Sequence, residues 1–211
     1  MPQESKMTLE RWQALMDVWG FSENRATLDA LLSAYSESGR HYHTRDHVSA
    51  CLRHLDTYLS RINSPREVEI ALWFHDAIYK PFSSTNEKDS ADWAVSFLSG
   101  CGAVQEQANR VRQLIMVTEH NAPAKTKDEA ALVDIDLSIL GANPSTYDEF
   151  ERAVRKEYRL VPSFLFKKKR AAVLKGFLQR PRIYTAGLFP EAVELQAKEN
   201  LSKAVSKLEE R

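Results

Sequence analysis

Apolar residues recur every three or four positions along most of the chain, which is the period of α-helices that bury one face. Residues 9–19, with Thr8 as a cap, and residues 25–35 follow this pattern. The same spacing predicts helices over 45–60, from 65 to 76, around 91–98, and over 104–119, 127–140, 146–159, 164–179 and 191–208. No segment sustains the apolar–polar alternation of a half-buried strand. The pattern predicts an all-α protein.

Local start signals support several of these helices. Ser64 precedes Pro65, the residue type favoured at a first helical position. Ser84 is followed three residues later by Glu87, which is the spacing of a capping box, and Thr126 has the same relation to a glutamate. The chain has 211 residues and contains no repeat, low-complexity tract or linker. We therefore expect a single all-helical domain over residues 1–211.

Composition and charge exclude several classes of function. Lys plus Arg and Asp plus Glu both number 29, so no positive excess favours nucleic acid or an anionic membrane surface. Apolar runs such as residues 114–117 are far too short to span a membrane, and the first residues lack the apolar core of a signal peptide. Two cysteines cannot form a disulfide framework. These features predict a cytoplasmic protein.

Candidate chemistry lies where polar residues interrupt apolar segments. His75 and Asp76 are embedded in Ala-Leu-Trp-Phe-His-Asp-Ala-Ile-Tyr, and Asp134 and Asp136 lie in Ala-Leu-Val-Asp-Ile-Asp-Leu. A buried carboxylate without a partner costs several kcal/mol, so such groups are usually paired or bound to metal. A histidine-rich segment, residues 41–47, opens the helix before the His-Asp pair. Imidazole and carboxylate groups on three helices suit Mn, Fe, Co, Ni, Zn or Mg.

Helical geometry alone does not choose between the two aspartates of the later helix. Residues two apart point about 200° away from each other, so Asp134 and Asp136 cannot both face one mononuclear site on a regular helix. Neither lies cleanly opposite the apolar arc of that helix.

Taken together, these motifs resemble the HD-domain metal-dependent phosphohydrolases, whose pattern is an early His, a central His-Asp pair and a distant Asp. The likeness is closest to a bacterial branch of uncharacterised predicted HD phosphohydrolases. It is carried by the runs at residues 42–47, 74–79, 86–91, 134–141 and 177–184. The resemblance implies an HD-domain helical bundle with a metal-site core at about 40–141 and a C-terminal helical extension at about 142–211.

The resemblance also implies one divalent metal ion and its ligands, which would be His47, His75, Asp76 and Asp136. His43 is the alternative to His47, and Asp134 is the alternative to Asp136. His47 is preferred because the ligand histidine of the family is followed one turn later by an apolar helical residue, here Cys51.

Catalytic and substrate-binding roles follow from the same resemblance. Asp76, Glu87 and His43 are the expected catalytic residues, and Arg45, Lys80 and His120 are the expected substrate contacts. One departure concerns the turn after the His-Asp pair, where several relatives carry an acidic residue. Here that turn reads Ile78-Tyr79-Lys80, and Glu87 is the candidate for the missing role.

These observations predict a hydrolase that cleaves a phosphate ester, such as a nucleotide, with a metal-activated water. The alternatives are an HD-type di-iron oxygenase, which needs more histidines than His120 in the intervening segment, and a non-catalytic nucleotide- or metal-binding regulatory domain. No glycine-rich phosphate loop is present, and the basic run 167–170 is typical of a solvated helix face. The expected partners are a small phosphorylated substrate, no nucleic acid, no membrane and at most a second copy in a homodimer.

Overall fold

The computed structural model describes residues 4–210, and these residues form ten α-helices and three short 3₁₀ helices without any β-strand. The α-helices are α1 (Leu9–Trp19), α2 (Arg25–Ala34), α3 (Arg45–Tyr58), α4 (Pro65–Phe74), α5 (Asn86–Gly100), α6 (Gln105–Met116), α7 (Lys127–Asp136), α8 (Pro144–Glu157), α9 (Ser163–Leu178) and α10 (Glu191–Glu209). The 3₁₀ helices follow α3, α6 and α7 at Leu59–Arg61, Val117–Glu119 and Leu137–Gly141. The predicted all-α class is confirmed.

The helix predicted over 127–140 changes type partway along. It is α-helical only to Asp136 and continues as a 3₁₀ helix to Gly141. The hydroxyl of Tyr184 donates a hydrogen bond to the carbonyl of Leu137 at 3.1 Å, and the Asn200 amide donates to that of Leu140 at 2.9 Å. These outside donors satisfy carbonyls that a longer α-helix would pair with its own N–H groups.

The predicted helix starts are only partly correct. Thr8 and Thr126 cap α1 and α7, since their hydroxyl oxygens accept hydrogen bonds from the backbone N–H groups of the third residues that follow. Pro65 is the first residue of α4, but the Ser64 side chain makes no capping bond. The N–H of Ser64 instead donates to the carboxylate of Asp128 at 2.9 Å.

The capping box predicted at Ser84 is wrong. The N-cap of α5 is Thr85, and its side chain does not cap the helix. The Thr85 hydroxyl donates to the Asp89 carboxylate at 2.9 Å instead. The Asn86 amide bridges the backbone N–H and carbonyl of Lys80, both at 3.0 Å, and so fixes the loop that enters the helix.

Helix α4 lies at the centre of the bundle and packs against α1, α3, α5, α6 and α7. Its residues from Ile70 to Phe74 are all buried, as expected for a helical segment that is apolar on every side. The Trp73 ring meets that of Trp12 edge-on, with centroids 5.2 Å apart. Burying a large apolar side chain of this kind contributes about 1.5–3 kcal/mol. The end of α4 therefore brings His75 into the interior of the protein.

The C-terminal helices close over the end of α7. Helices α9 and α10 pack together, and α10 also lies against the 3₁₀ helix at Leu137–Gly141. Buried apolar residues form one continuous cluster that extends from Met7 to Val205. None of the helices in residues 4–210 combines the length and apolar character that crossing a membrane requires.

Candidate metal centre

Three helices bring four potential ligand side chains to one point. His47 lies in the first turn of α3, His75 and Asp76 directly follow α4, and Asp136 ends α7. The Nε2 atoms of His47 and His75 lie 3.1 Å apart. Oδ1 of Asp136 lies 3.1 Å from Nε2 of His47 and 3.5 Å from that of His75. Oδ2 of Asp76 lies 3.1 Å from Nε2 of His75 and 3.5 Å from that of His47.

These spacings suit the ligand shell of one small cation. Bonds from zinc to nitrogen and oxygen ligands are about 2.0–2.2 Å long, so neighbouring ligand atoms around such an ion are about 3.0–3.5 Å apart. Ligand atoms of His47, His75 and Asp136 all lie within 4.8 Å of one another. This largely buried group could hold a metal ion. Asp76 supplies a further oxygen at the same distances from both imidazoles.

The tautomer of His75 is set by the helix that carries it. Its Nδ1 lies 2.9 Å from the carbonyl oxygen of Leu72, one turn earlier. Because a carbonyl only accepts hydrogen bonds, Nδ1 carries the proton and the Nε2 lone pair of the neutral ring faces the cluster. Holding the second ring nitrogen in this way orients many metal-binding histidines.

His120 approaches the cluster from the other side of Asp136. Its Nε2 lies 3.0 Å from Oδ2 of Asp136, so this carboxylate contacts imidazoles through both oxygens. His120 adopts a left-handed backbone conformation with φ 56°, which is uncommon for a residue with a Cβ and costs about 1 kcal/mol or more. The Arg180 guanidinium donates to its carbonyl at 2.8 Å. This unusual turn aims the ring at Asp136.

The imidazoles and carboxylates of the cluster shift one another's pKa values. Burial acts to lower the pKa of His75, but the carboxylates of Asp76 and Asp136 outweigh it and raise that pKa well above its usual range. Burial acts to raise the pKa of both carboxyls, yet the surrounding imidazoles hold both values below the ordinary range. Both carboxylates are therefore ionised at neutral pH. Because histidine binds metals in its neutral form, metal binding at His75 would favour the neutral imidazole.

His43 stands beside the four ligands and is held by a buried acid. Its Nδ1 lies 2.8 Å from Oε2 of Glu157, and its ring stacks on Tyr79 with centroids 4.0 Å apart. The other oxygen of Glu157 accepts hydrogen bonds from the backbone N–H groups of residues 41–43 at 2.7–3.1 Å. Burial acts to lower the pKa of His43, but the charges of Asp76 and Glu157 outweigh it and raise that pKa.

Arg40 and Glu157 are site residues that the sequence reasoning missed. The Arg40 guanidinium is buried and donates to the carbonyls of Asp76 at 2.5 Å and Ala77 at 2.8 Å. It thus fixes the turn that follows α4. Arg40 lies in a polar stretch, and Glu157 lies in the charged end of α8, so no apolar context marks either residue. Neither a helix-start motif nor the spacing of apolar residues identifies Arg40 or Glu157 as a site residue.

The Asp134 side chain forms its hydrogen bonds outside the metal cluster. Its two oxygens accept hydrogen bonds from the backbone N–H groups of Thr185 at 2.8 Å and Ala186 at 2.9 Å. Burial raises its pKa to about 6 in spite of these bonds. The side chain therefore anchors the segment between α9 and α10 to α7, whereas Asp136 faces the histidines.

The remaining expected contacts lie at different distances from the cluster. Lys80 is exposed, and Arg45 lines a separate surface cavity with Ser5 and Tyr35. Neither side chain forms a hydrogen bond or ion pair with the ligand residues in the part of the chain that the structure describes. Glu87 is half-buried, and burial together with the nearby charge of Asp76 raises its pKa. The structure thus brings His43 and His120 to the cluster, sets Glu87 near it, and leaves Arg45 and Lys80 outside.

The centre is accessible from its carboxylate side. The Asp76, Asp136 and His43 side chains keep 17%, 13% and 21% of their surface exposed. A cavity of about 710 Å³ borders His47 and runs along α3, but its lining includes acidic Asp46 and Glu149.

Comparison with family models, curated proteins and solved structures gives no significant match to this chain. The resemblance to HD-domain phosphohydrolases therefore depends on the sequence motifs.

Proposed function

We propose that this protein is a metal-dependent phosphohydrolase that cleaves a phosphate ester of a small molecule. The observation that carries the proposal is the convergence of imidazole and carboxylate groups beside a solvent-accessible opening. The Nε2 atoms of His47 and His75 lie 3.1 Å apart, and one oxygen each of Asp76 and Asp136 lies 3.1–3.5 Å from both of them. Histidine and carboxylate ligands on an open face suit hydrolytic metals, whereas a closed thiolate set is typical of structural ones.

His47, His75, Asp76 and Asp136 would hold the metal. Two nitrogen ligands favour Mn, Fe, Co, Ni or Zn over Mg, which prefers oxygen ligands. When bound, such an ion lowers the pKa of water and neutralises charge on a phosphoryl group. The pair of ionised carboxylates supplies the negative charge that retains a divalent cation.

His43 is the candidate for proton transfer to the leaving oxygen. Glu157 accepts a hydrogen bond from Nδ1, which fixes the ring and leaves Nε2 free to exchange a proton with substrate. Although burial acts to lower the pKa of the ring, Asp76 and Glu157 raise it, which favours the protonated form that a general acid requires. Glu87, close enough to Asp76 for their charges to interact, is the candidate base.

The rest of the molecule fits a small substrate in the cytoplasm. The chain has no net charge to attract nucleic acid, and both cysteines are free. We infer that the substrate is a phosphorylated metabolite, such as a nucleotide.

The test is an assay of phosphomonoesters and phosphodiesters with metal-depleted protein, after separate addition of Mn, Fe, Co, Ni, Zn and Mg. Phosphate or alcohol release with at least one metal, abolished by EDTA, is expected. His75→Ala and Asp76→Ala should lose both bound metal and activity while their helical circular dichroism is unchanged. His54→Ala, a control on α3 outside the ligand cluster, should retain its metal.

Elemental analysis of the metal content distinguishes the hydrolase from the two alternatives, a di-iron oxygenase and a non-catalytic regulatory domain. Two irons per chain would indicate an oxygenase, and a protein that takes up no metal would indicate a regulatory domain. Wild-type metal content in both His75→Ala and Asp76→Ala would refute the assignment of the ligands.

A further inference from the structure

A second cavity beside the metal centre has a positively charged lining. It has a volume of about 460 Å³ and lies between the loop after the 3₁₀ helix at Val117–Glu119 and the segment that follows α9. Arg180 and Arg182 line it, and no aspartate or glutamate does. His120 forms part of its wall and also contacts Asp136. The cavity and the candidate metal centre are therefore one residue apart.

Arg180 is a cation without a counter-ion at this position. Its Nη2 donates to the His120 carbonyl at 2.8 Å, and its guanidinium lies over the Phe177 ring, 4.6 Å from the centroid. Within residues 4–210 it forms no ion pair with a carboxylate. Partial burial without a compensating charge lowers the pKa of this group. Arg182, in contrast, is already paired with Glu191 at 2.9 Å.

A guanidinium held in this way is suited to an anion. The bond to His120 and the contact with Phe177 fix its plane but use only one of its five N–H groups. The others can bind two phosphate oxygens at once, which is the geometry that distinguishes arginine from lysine. Partial exclusion of water strengthens such a bond.

We propose that Arg180 binds a second phosphate group of the substrate, an inference that rests on the proposed hydrolase function. The scissile phosphate would lie at the four metal ligands, and the second phosphate would enter the cavity lined by Arg180. The substrate class is then a small bisphosphorylated compound, because a monophosphate would leave the Arg180 cavity without an anion.

The experiment compares matched pairs of compounds on wild-type protein and Arg180→Gln. The pairs are adenosine 3′,5′-bisphosphate with adenosine 5′-monophosphate, and fructose 1,6-bisphosphate with fructose 6-phosphate. Glutamine keeps a donor for the His120 carbonyl but removes the charge. Arg159→Gln, which changes an exposed arginine two residues after the end of α8, controls for net charge. Both kcat/KM and binding by calorimetry are measured, with metal content and circular dichroism recorded for each variant.

Wild-type protein should prefer the bisphosphate of at least one pair by about 10- to 100-fold, the range expected for a charged hydrogen-bonded contact. Arg180→Gln should lose this preference, and Arg159→Gln should keep it. An equal loss toward both members of a pair would indicate that Arg180 only positions His120 and would overturn the proposal. So would the absence of any preference in the wild type. A calorimetric preference in a protein without hydrolytic activity would refute the proposed function but support the second phosphate site.

Discussion

At the scale of single residues, three largely buried carboxylates show how the contacts of a side chain determine its role. Asp134, Asp136 and Glu157 each avoid the cost of an unpartnered buried charge in a different way. Asp136 contacts imidazoles, Asp134 accepts from two backbone N–H groups, and Glu157 combines backbone donors with His43 and Tyr79. Only Asp136 faces atoms that could share a metal with it.

Substitution of the two neighbouring aspartates should separate these roles. Asp136→Asn is expected to weaken metal binding at least tenfold and abolish hydrolysis, because the cluster loses a charged ligand. Asp134→Asn should keep near-normal metal affinity but lower the free energy of unfolding by about 1–3 kcal/mol, since one backbone N–H would face an amide donor. Metal titration and urea denaturation of both variants test this. A larger loss of metal affinity in Asp134→Asn would mean that Asp134 is the ligand.

Glu157 should make the protein sensitive to acid. Although burial opposes ionisation, His43 and the backbone N–H groups lower the pKa of Glu157 to about 2, against an ordinary value of 4.5. Its stabilising contribution is thus present above pH 4.5 and is lost as the pH falls from 4.5 toward 2. By linkage this contribution is at most about 3 kcal/mol.

Glu157→Gln is therefore expected to be less stable than wild type at pH 7 and to show a weaker dependence on pH below 4.5. Urea denaturation at pH 7, 5, 4 and 3 measures both effects. Glu149→Gln, at an exposed position on the same helix, should follow the wild-type profile. Parallel profiles for Glu157→Gln and wild type would contradict the assignment.

At the scale of elements, the 3₁₀ helix that follows α7 contacts α10 so closely that no side chain fits at Gly141. Gly141 ends the 3₁₀ helix, and a Cβ there would lie 2.9 Å from both the Val193 carbonyl oxygen and the Tyr184 hydroxyl. Glycine is required because α10 approaches the backbone directly. The close approach fixes the position of α7 and hence of Asp136.

Gly141→Ala should lower the free energy of unfolding by about 1–3 kcal/mol, because the added methyl group must push α10 away. Gly176→Ala is the matched control: it lies on an exposed face inside α9 with open space around a Cβ, so alanine should stabilise the protein by about 0.5–1 kcal/mol. Thermal denaturation of both variants gives the comparison. Equal melting temperatures would show that α10 yields to the methyl group at little cost.

At the scale of the whole molecule, the candidate metal centre joins α3, α4 and α7, and α5 and α6 separate α7 from the other two in sequence. A ligand that binds only the folded state stabilises it by about 2.7 kcal/mol at a concentration 100 times its Kd. For a chain of this size we expect the matching metal to raise Tm by about 5–10 °C. Calorimetry with added metal and with EDTA measures the shift. His75→Ala should show no shift, and an equal shift in that variant would place the metal elsewhere.

The sequence by itself determined the helices, because the spacing of apolar residues and the caps at Thr8 and Thr126 are local properties. It also marked His75, Asp76 and Asp136 as chemistry-bearing, because polar residues in apolar segments need partners when buried. The 3₁₀ end of α7 was not predictable, since its cause is a pair of donors that are distant in sequence, Tyr184 in the segment after α9 and Asn200 in α10.

Tertiary structure alone decided which polar residues meet. Asp134 and Asp136 have nearly the same sequence context, and only the packing of the segment after α9 directs one to backbone N–H groups and leaves the other beside the histidines. Arg40 and Glu157 support the site from polar stretches that carry no local signal. The physical reason is that helix formation depends on neighbours in sequence, whereas a candidate metal site depends on distances of a few ångströms between residues tens of positions apart.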